Sequence, residues 1–387
     1  MTLPSSAPSP TLSPASSPTR RTFLRATAAG AAAGIVFCSC GLLHRRAAAQ
    51  TAGAPPRGLA LPVTVGGKRV KTIDVHAHCH FREAGALLGN DAAALQLPPV
   101  RGAEEAFVEV DKRLAAMDAQ AVDLEVLSIN PYWYGRDRDL AAAIVKIQNE
   151  KLAELCASKP DRFAAFASLT LQAPDLAVQE LETAMKKQGL KGAAIGGIVA
   201  GVEFSDPKFH PVWAKAEELG AVLFIHPQGV PELGRRLAGN GWLGNTIANP
   251  LETTIALSHL IFEGTLDRFP GLKIIAAHGG GYLPSYADRS DHACLVGPAG
   301  CNPNIALKKK PTEYLKQLYF DSLIFSPEAL RHLAAQVGAG QIVLGSDYPY
   351  PWQMKPVDHV LATEPLSDEE KAAILGGTAA KLLGIPT

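Results

Sequence analysis

Eight short apolar runs punctuate the chain, and longer stretches with helical spacing separate them. The runs are TIDVHAH (72–78), DLEVLSI (123–129), FAAFASL (163–169), GAAIGG (192–197), AVLFIHP (221–227), LKIIAAHGG (272–280), LYFDSLI (318–324) and QIVLGSDYP (341–349). Most are continuously apolar rather than alternating, the pattern of parallel strands buried on both faces. Between the second and third runs, Leu140, Ile144, Ile147, Leu152 and Leu155 recur at helical spacing, and the pattern ends at Pro160. DLAVQELETAMKKQG follows Pro174 and stops at Gly189, and HPVWAKAEELG (210–220) does the same on a smaller scale. Eight strand–helix units in roughly 320 residues predict one α/β domain, a (β/α)8 TIM barrel. An open doubly wound sheet is the alternative. It lacks support, because no G-x-G-x-x-G follows the first run and HGGG (278–281) does not have that spacing.

Polar residues fall at the ends of these runs. His76 and His78 close the first, His226 the fifth, His278 the sixth and Asp347 the eighth. In a barrel these ends gather around one axis at the C-terminal face. Side chains at i and i+2 of a strand share a face, so His76 and His78 can both aim inward at one ion. Neutral imidazole suits Zn2+, and three histidines with one aspartate make a common mixed donor set. Asp347 can hold a metal while accepting a proton from its water. His80 shares the parity of His76 and His78 but falls past the strand end, as a pocket-lining or substrate-touching candidate. Cys79 points the other way and reads as buried packing. His259, His292, His332 and His359, on helical or loop segments, read as packing or surface residues.

Composition is that of an ordinary globular chain, 47% hydrophobic and 19% charged, with ample material for a core. Formal net charge is zero, so nothing points to nucleic acid or an anionic membrane surface. Residues 1–50 carry five arginines and no acid, which leaves the remainder with 32 basic against 37 acidic residues. That N-terminus reads as an address. A Ser/Pro/Thr-rich tract leads to Arg20-Arg21, then Phe23-Leu24, an Ala/Gly-rich run from Ala26 to Leu43, and small residues Ala47 to Ala49. This resembles a bacterial twin-arginine export signal and predicts a periplasmic protein, with no membrane contact after signal removal. A retained transmembrane anchor is the alternative, and the Ala/Gly content makes a poor span. The expected organisation is therefore signal 1–50, linker 51–67 and barrel 68–387. Outside the signal, Cys79, Cys156, Cys294 and Cys301 are widely spaced in a chain large enough to need no disulfide staples.

IDVHAH, FIHP, AHGGGYLP and LGSDYPYP stand in the order and spacing of the metal-dependent amidohydrolase superfamily. From about Ile73 to its end the chain resembles the branch that includes aminocarboxymuconate-semialdehyde decarboxylase. The resemblance implies one divalent ion, usually zinc, held by His76, His78, His226 and Asp347. It implies His278 as an acid/base that works with the metal's water. It also implies two carboxylate-binding arginines. Arg289 has the spacing of one that reaches a neighbouring subunit's site, which would make the protein at least a homodimer. Arg101 is the best candidate for the other, before the second strand. The segment after FIHP, QGVPELGRRLAGNGWLGN, differs from the decarboxylase pattern. The leading expectation is a non-oxidative decarboxylase (a carboxy-lyase) acting on an unsaturated or aromatic carboxylic acid. A metal-dependent hydrolase of a lactone, ester or amide uses the same ligand set. An exported zinc-binding protein without turnover is the third reading, and His278 argues against it, since metal binding alone would not need that residue.

Overall fold

The eight apolar runs become eight parallel strands: β1 (Ile73–His78), β2 (Leu124–Ser128), β3 (Phe163–Ala165), β4 (Gly192–Ile195), β5 (Val222–Ile225), β6 (Lys273–Ala276), β7 (Tyr319–Asp321) and β8 (Ile342–Val343). The computed structural model describes residues 62–89 and 102–387. Parallel ladders join β1 to β3 and β4 to β8 in chain order. Single bridges close the ring: Ala167 pairs with Ala193, and Asp74 and Ala77 pair with Leu344 and Tyr348. The sheet thus closes on itself as the predicted barrel, and every strand end points to one mouth.

Helices follow the strands: α1 (Val110–Ala119), α2 (Arg138–Ser158), α3 (Pro174–Lys186), α4 (His210–Leu219), α5 (Ala248–Phe262), α6 (Ala287–Asp291), α7 (Pro327–Val337) and α8 (Pro356–Leu361). Their boundaries have local causes. Asp137 caps α2 by accepting the Leu140 N–H at 3.0 Å. Pro174 occupies the first turn of α3, and Gly220 takes a left-handed φ of 63° at the end of α4. On α2, Ile144, Leu152 and Leu155 are buried as the spacing predicts, with Leu140 and Ile147 partly covered. Gln148 and Asn149 are buried there too: Gln148 Nε2 donates to the Tyr132 hydroxyl at 2.9 Å, and the Asn149 amide both donates to and accepts from the Ser168 backbone.

Two apolar layers result. Side chains such as Ile73, Val75, Leu124, Val126, Phe166, Val222, Phe224 and Ile275 fill the barrel interior, joined by Leu382, Leu383 and Ile385 from the C-terminus. The larger outer layer packs the helices on the barrel. Cys79 belongs to it, as its parity predicts.

Two features differ from expectation or go beyond it. The last residues of the expected linker form a hairpin, Thr64–Val65 against Lys68–Arg69, turned by Gly66 and Gly67 at positive φ. Cys294 and Cys301 form a disulfide, which closes a surface loop rather than stapling the core. The tract 1–50 and linker residues 51–61 lie outside the described residues. Among the described residues, no helix is long and apolar enough to cross a membrane.

Candidate active site

The strand ends meet as the topology requires. In β1 the register against β2 slips between Asp74 and Ala77. Val75 packs in the interior and Ala77 in the outer layer, so this bulge turns His76 and His78 inward above Val75. The ring of five side chains is tight. His76 Nε2 lies 3.1 Å from His78 Nε2 and 3.1 Å from Asp347 Oδ1, and His78 Nε2 lies 2.8 Å from the same oxygen. The His226 ring centroid is 4.4 Å from that of His78 and 4.9 Å from that of His76. His278 Nε2 approaches Asp347 Oδ2 at 3.7 Å. His76, His226, His278 and Asp347 each offer one ligand atom, all within 4.8 Å of one another.

These spacings fit a common ion. Two nitrogens bound at 2.0–2.1 Å in a tetrahedral set stand about 3.3 Å apart. Both ring nitrogens of His226 are buried and without a hydrogen-bond partner, a costly arrangement for an imidazole that serves packing alone. Burial disfavours the His76 imidazolium, but the Asp347 and Asp321 carboxylates outweigh it and push its pKa up to about 10. Burial would raise Asp347, yet the facing imidazoles hold it well below the usual carboxylate range. His226 is held well below the usual histidine range by burial and by the other imidazoles. The cage therefore calls for positive charge at its centre and keeps His226 neutral, the form that coordinates a metal.

The ring nitrogens facing away from the centre are held in turn. His76 Nδ1 is 2.6 Å from Asp321 Oδ2, and His78 Nδ1 is 3.3 Å from the Ser128 hydroxyl. Such contacts fix tautomer and ring orientation. Asp321 also accepts the backbone N–H groups of His278 at 3.0 Å and Gly279 at 2.9 Å. One carboxylate thus orients both a candidate ligand and the candidate acid/base. Asp321 ends β7, in the middle of the run LYFDSLI, where the sequence reading did not single it out. Arg113, fully buried, donates to Glu125 at 2.7 Å and to the His78 carbonyl, and its guanidinium lies 4.7 Å from the Tyr348 ring centre. Asp74 accepts from Ser346 Oγ and from the His76 N–H at 3.0 Å.

Exposure separates the histidines. The side chains of His76 and His78 are 0% and 1% exposed, whereas that of His278 is 15% exposed. It lines a cavity of about 140 Å3 with Asp347, Asn245, Asn249, Phe325 and Trp352. Arg289 is exposed on α6 and lines a separate groove with Phe262, Tyr282, Tyr286 and Val296. Arg101 lies outside the described residues. His80 does not join the cage. It is buried against Phe107 and Tyr132, in the wall of another cleft, and burial pushes its pKa down to about 3.

Comparison with known proteins agrees with this geometry. The family model described as amidohydrolase matches residues 73–385. A 2-amino-3-carboxymuconate-6-semialdehyde decarboxylase from Dictyostelium discoideum is 32% identical over 279 residues, 71% of this chain and 76% of that protein. The crystal structure of 5-carboxyvanillate decarboxylase from Sphingomonas paucimobilis superposes with a TM-score of 0.74 at 26% identity, covering 82% of this chain and all of that one. A dihydroxybenzoic acid decarboxylase from Polaromonas sp., crystallised with manganese and the inhibitor 2-nitroresorcinol, gives 0.70 at 26% identity and covers 82% and 97%.

Proposed function

The chain belongs to the amidohydrolase family, and from that premise we propose that it is a metal-dependent, non-oxidative decarboxylase of an aromatic or conjugated carboxylic acid. The observation that carries the reading is the division of labour among the histidines. His76, His78 and His226 are buried around one centre with Asp347, and of the four histidines only His278 lines the cavity, beside Asp347. Support for decarboxylation over hydrolysis comes from the relatives, whose names specify decarboxylases of conjugated or aromatic acids.

His76, His78, His226 and Asp347 would hold the divalent ion, and the three-imidazole set favours zinc, although the Polaromonas relative carries manganese. Such an ion, when bound, polarises a substrate oxygen and lowers the pKa of its water. His278, whose Nε2 lies 3.7 Å from Asp347 Oδ2, delivers a proton to the carboxylate-bearing carbon of the substrate. Protonation makes the carboxylate-bearing carbon tetrahedral. The carbon–carbon bond then breaks, its electron pair restores the conjugated system, and CO2 leaves. Asp321 keeps His76 and the His278 backbone in place throughout.

Three further assignments belong to this reading. Arg289 serves a neighbouring copy in a homodimer. Arg101 is the second carboxylate contact. The protein is exported through the twin-arginine signal, which the Cys294–Cys301 disulfide favours because such bonds persist in oxidising compartments. Cell fractionation checks export: replacing Arg20-Arg21 with two lysines should retain the protein in the cytoplasm, and undiminished export would refute the signal.

His278→Ala tests the central reading. CO2 release from a panel of hydroxybenzoates should fall by about 10²–10⁴-fold, while elemental analysis finds the same metal, expected to be zinc, at one ion per chain. Unchanged turnover would remove His278 from the chemistry.

A further inference from the structure

Three of the four candidate ligands stand on one seam. His76 and His78 belong to the end of β1, and Asp347 follows β8. The two strands meet there through single bridges, Asp74 to Leu344 and Ala77 to Tyr348. The main chain crosses the seam twice at the cage. The Asp347 N–H donates to the His76 carbonyl at 2.8 Å, and the His78 N–H donates to the Tyr348 carbonyl at 2.6 Å. Asp347 itself has a φ of 66°, a left-handed backbone held at a cost that its surroundings must offset. Behind the seam lies a cation that the proposed chemistry does not use. Arg113, on α1, and Glu125, on β2, are each 1% exposed. The guanidinium has three partners. One N–H reaches Glu125 at 2.7 Å, a second reaches the His78 carbonyl, and the carbon between them lies 4.7 Å from the Tyr348 ring centre. Tyr348 follows Asp347 directly, so one side chain touches the peptide of one ligand and the neighbour of another. Packing does not account for a charge in this place, because a buried ion pair adds little net stability over apolar side chains of similar volume. A planar fork does, since it fixes a carbonyl and a ring together, a pairing of fork and face that lysine lacks.

We infer that Arg113 is a positioning residue for the metal site. Its guanidinium, anchored by Glu125, clamps the His78 carbonyl to the Tyr348 ring and so sets the 2.8 Å gap between His78 Nε2 and Asp347 Oδ1. The inference rests on the metal-binding reading of the cage and not on the reaction that follows. Arg113 acts through His78 and Tyr348 alone. Without the clamp the two donors are no longer held ready, and a binding ion has to order them.

Zinc affinity of the full-length protein, measured by competition with a chelator, tests the clamp. Arg113→Lys keeps the charge and loses the fork. Arg113→Met combined with Glu125→Leu removes both charges, so no buried acid is left alone. Each should bind zinc about 10–100-fold more weakly, the range for losing a group that orients a metal ligand. Tyr348→Leu should weaken zinc likewise, and Tyr348→Phe, which keeps the ring against the guanidinium, should weaken it less. Arg162→Met is the control for lost stability. Arg162 precedes β3 at the opposite end of the barrel and donates to the Asp123 carbonyl and to Asp118. Its loss should lower the urea midpoint and leave zinc affinity unchanged. Circular dichroism establishes which variants are folded. Where neither Arg113 variant folds, the two Tyr348 variants decide, and equal affinity in them overturns the clamp. Wild-type affinity in the folded Arg113 variants, or a loss matched by Arg162→Met, overturns the clamp and leaves the cage. A wild type that binds no divalent ion overturns both. Weakened zinc in the clamp variants, with no CO2 from any acid even in wild type, upholds the clamp and removes the decarboxylase reading alone.

Discussion

At the residue scale, the cage depends on groups that never touch its centre. Asp321 is the clearest: it is fully buried, accepts from His76 Nδ1, and takes the N–H groups that set the His278 turn. Asp321→Asn keeps the shape but removes the charge that orients His76 as a donor toward the centre. Metal affinity, measured by competition with a chelator, should fall about 10–100-fold, with the far-ultraviolet circular dichroism unchanged. Affinity within a factor of two of wild type would show that His76 needs no such support. The candidate ligands were legible because each ends an apolar run at matching parity. Asp321 was not, because a lone acid inside LYFDSLI reads equally well as a strand end. The contact of Arg113 with Tyr348 was hidden for a different reason: no local pattern announces that a helix cation and a distant loop ring meet.

At the element scale, strand and helix boundaries followed periodicity and punctuation closely, from β1 to the proline start of α3 and the glycine end of α4. The β1 bulge was illegible, since period-2 reasoning assumes an unbroken pleat, yet that slip is what turns His76 inward above Val75. Elements also pin one another. Glu252, on α5, accepts backbone N–H groups from Gly197 after β4 and from Gln228 and Gly229 after β5, just beyond His226. Burial raises its pKa from 4.5 to about 7, against the pull of those N–H groups. A carboxyl whose folded pKa lies above its unfolded value holds a proton that the unfolded chain releases. Its contribution is favourable at low pH and is lost as pH rises from about 4.5 through 7. The difference is bounded by about 3 kcal/mol. Urea denaturation at pH 5.5 and pH 8 should therefore show Glu252→Gln losing less stability than wild type between the two. An equal loss in both proteins would place the pH dependence on other buried acids, such as Asp74, whose pKa burial also raises to about 7.

At the scale of the whole molecule, the described residues of the barrel hold the cage and His278, and the proposed contacts to the substrate's carboxylate fall to Arg101, outside the described residues, and to Arg289. Among the described residues, no Lys or Arg lines the cavity beside His278, while Arg289 stands exposed. Around Arg289 the surface is apolar: Tyr286 is 69%, Leu295 79% and Val296 82% exposed, and the Cys294–Cys301 disulfide fixes the loop that carries the last two. Such a patch is unusual on a monomer and suits a two-fold interface, in which the same surface meets itself. A second copy would cover the patch and carry Arg289 toward its neighbour's cavity. Subunit mixing separates this arrangement from an Arg289 that acts at home. His278→Ala and Arg289→Ala should each be impaired as homodimers, the latter chiefly through a raised KM. In a mixed dimer, one cavity combines an intact His278 with the partner's intact arginine. Random pairing makes half the dimers mixed, with one competent cavity in two, so activity should recover to about a quarter of wild type. Recovery absent from the mixture, although sedimentation shows that mixed dimers form, would mean that Arg289 serves only its own chain. A monomer at assay concentration would deny it any neighbour to serve.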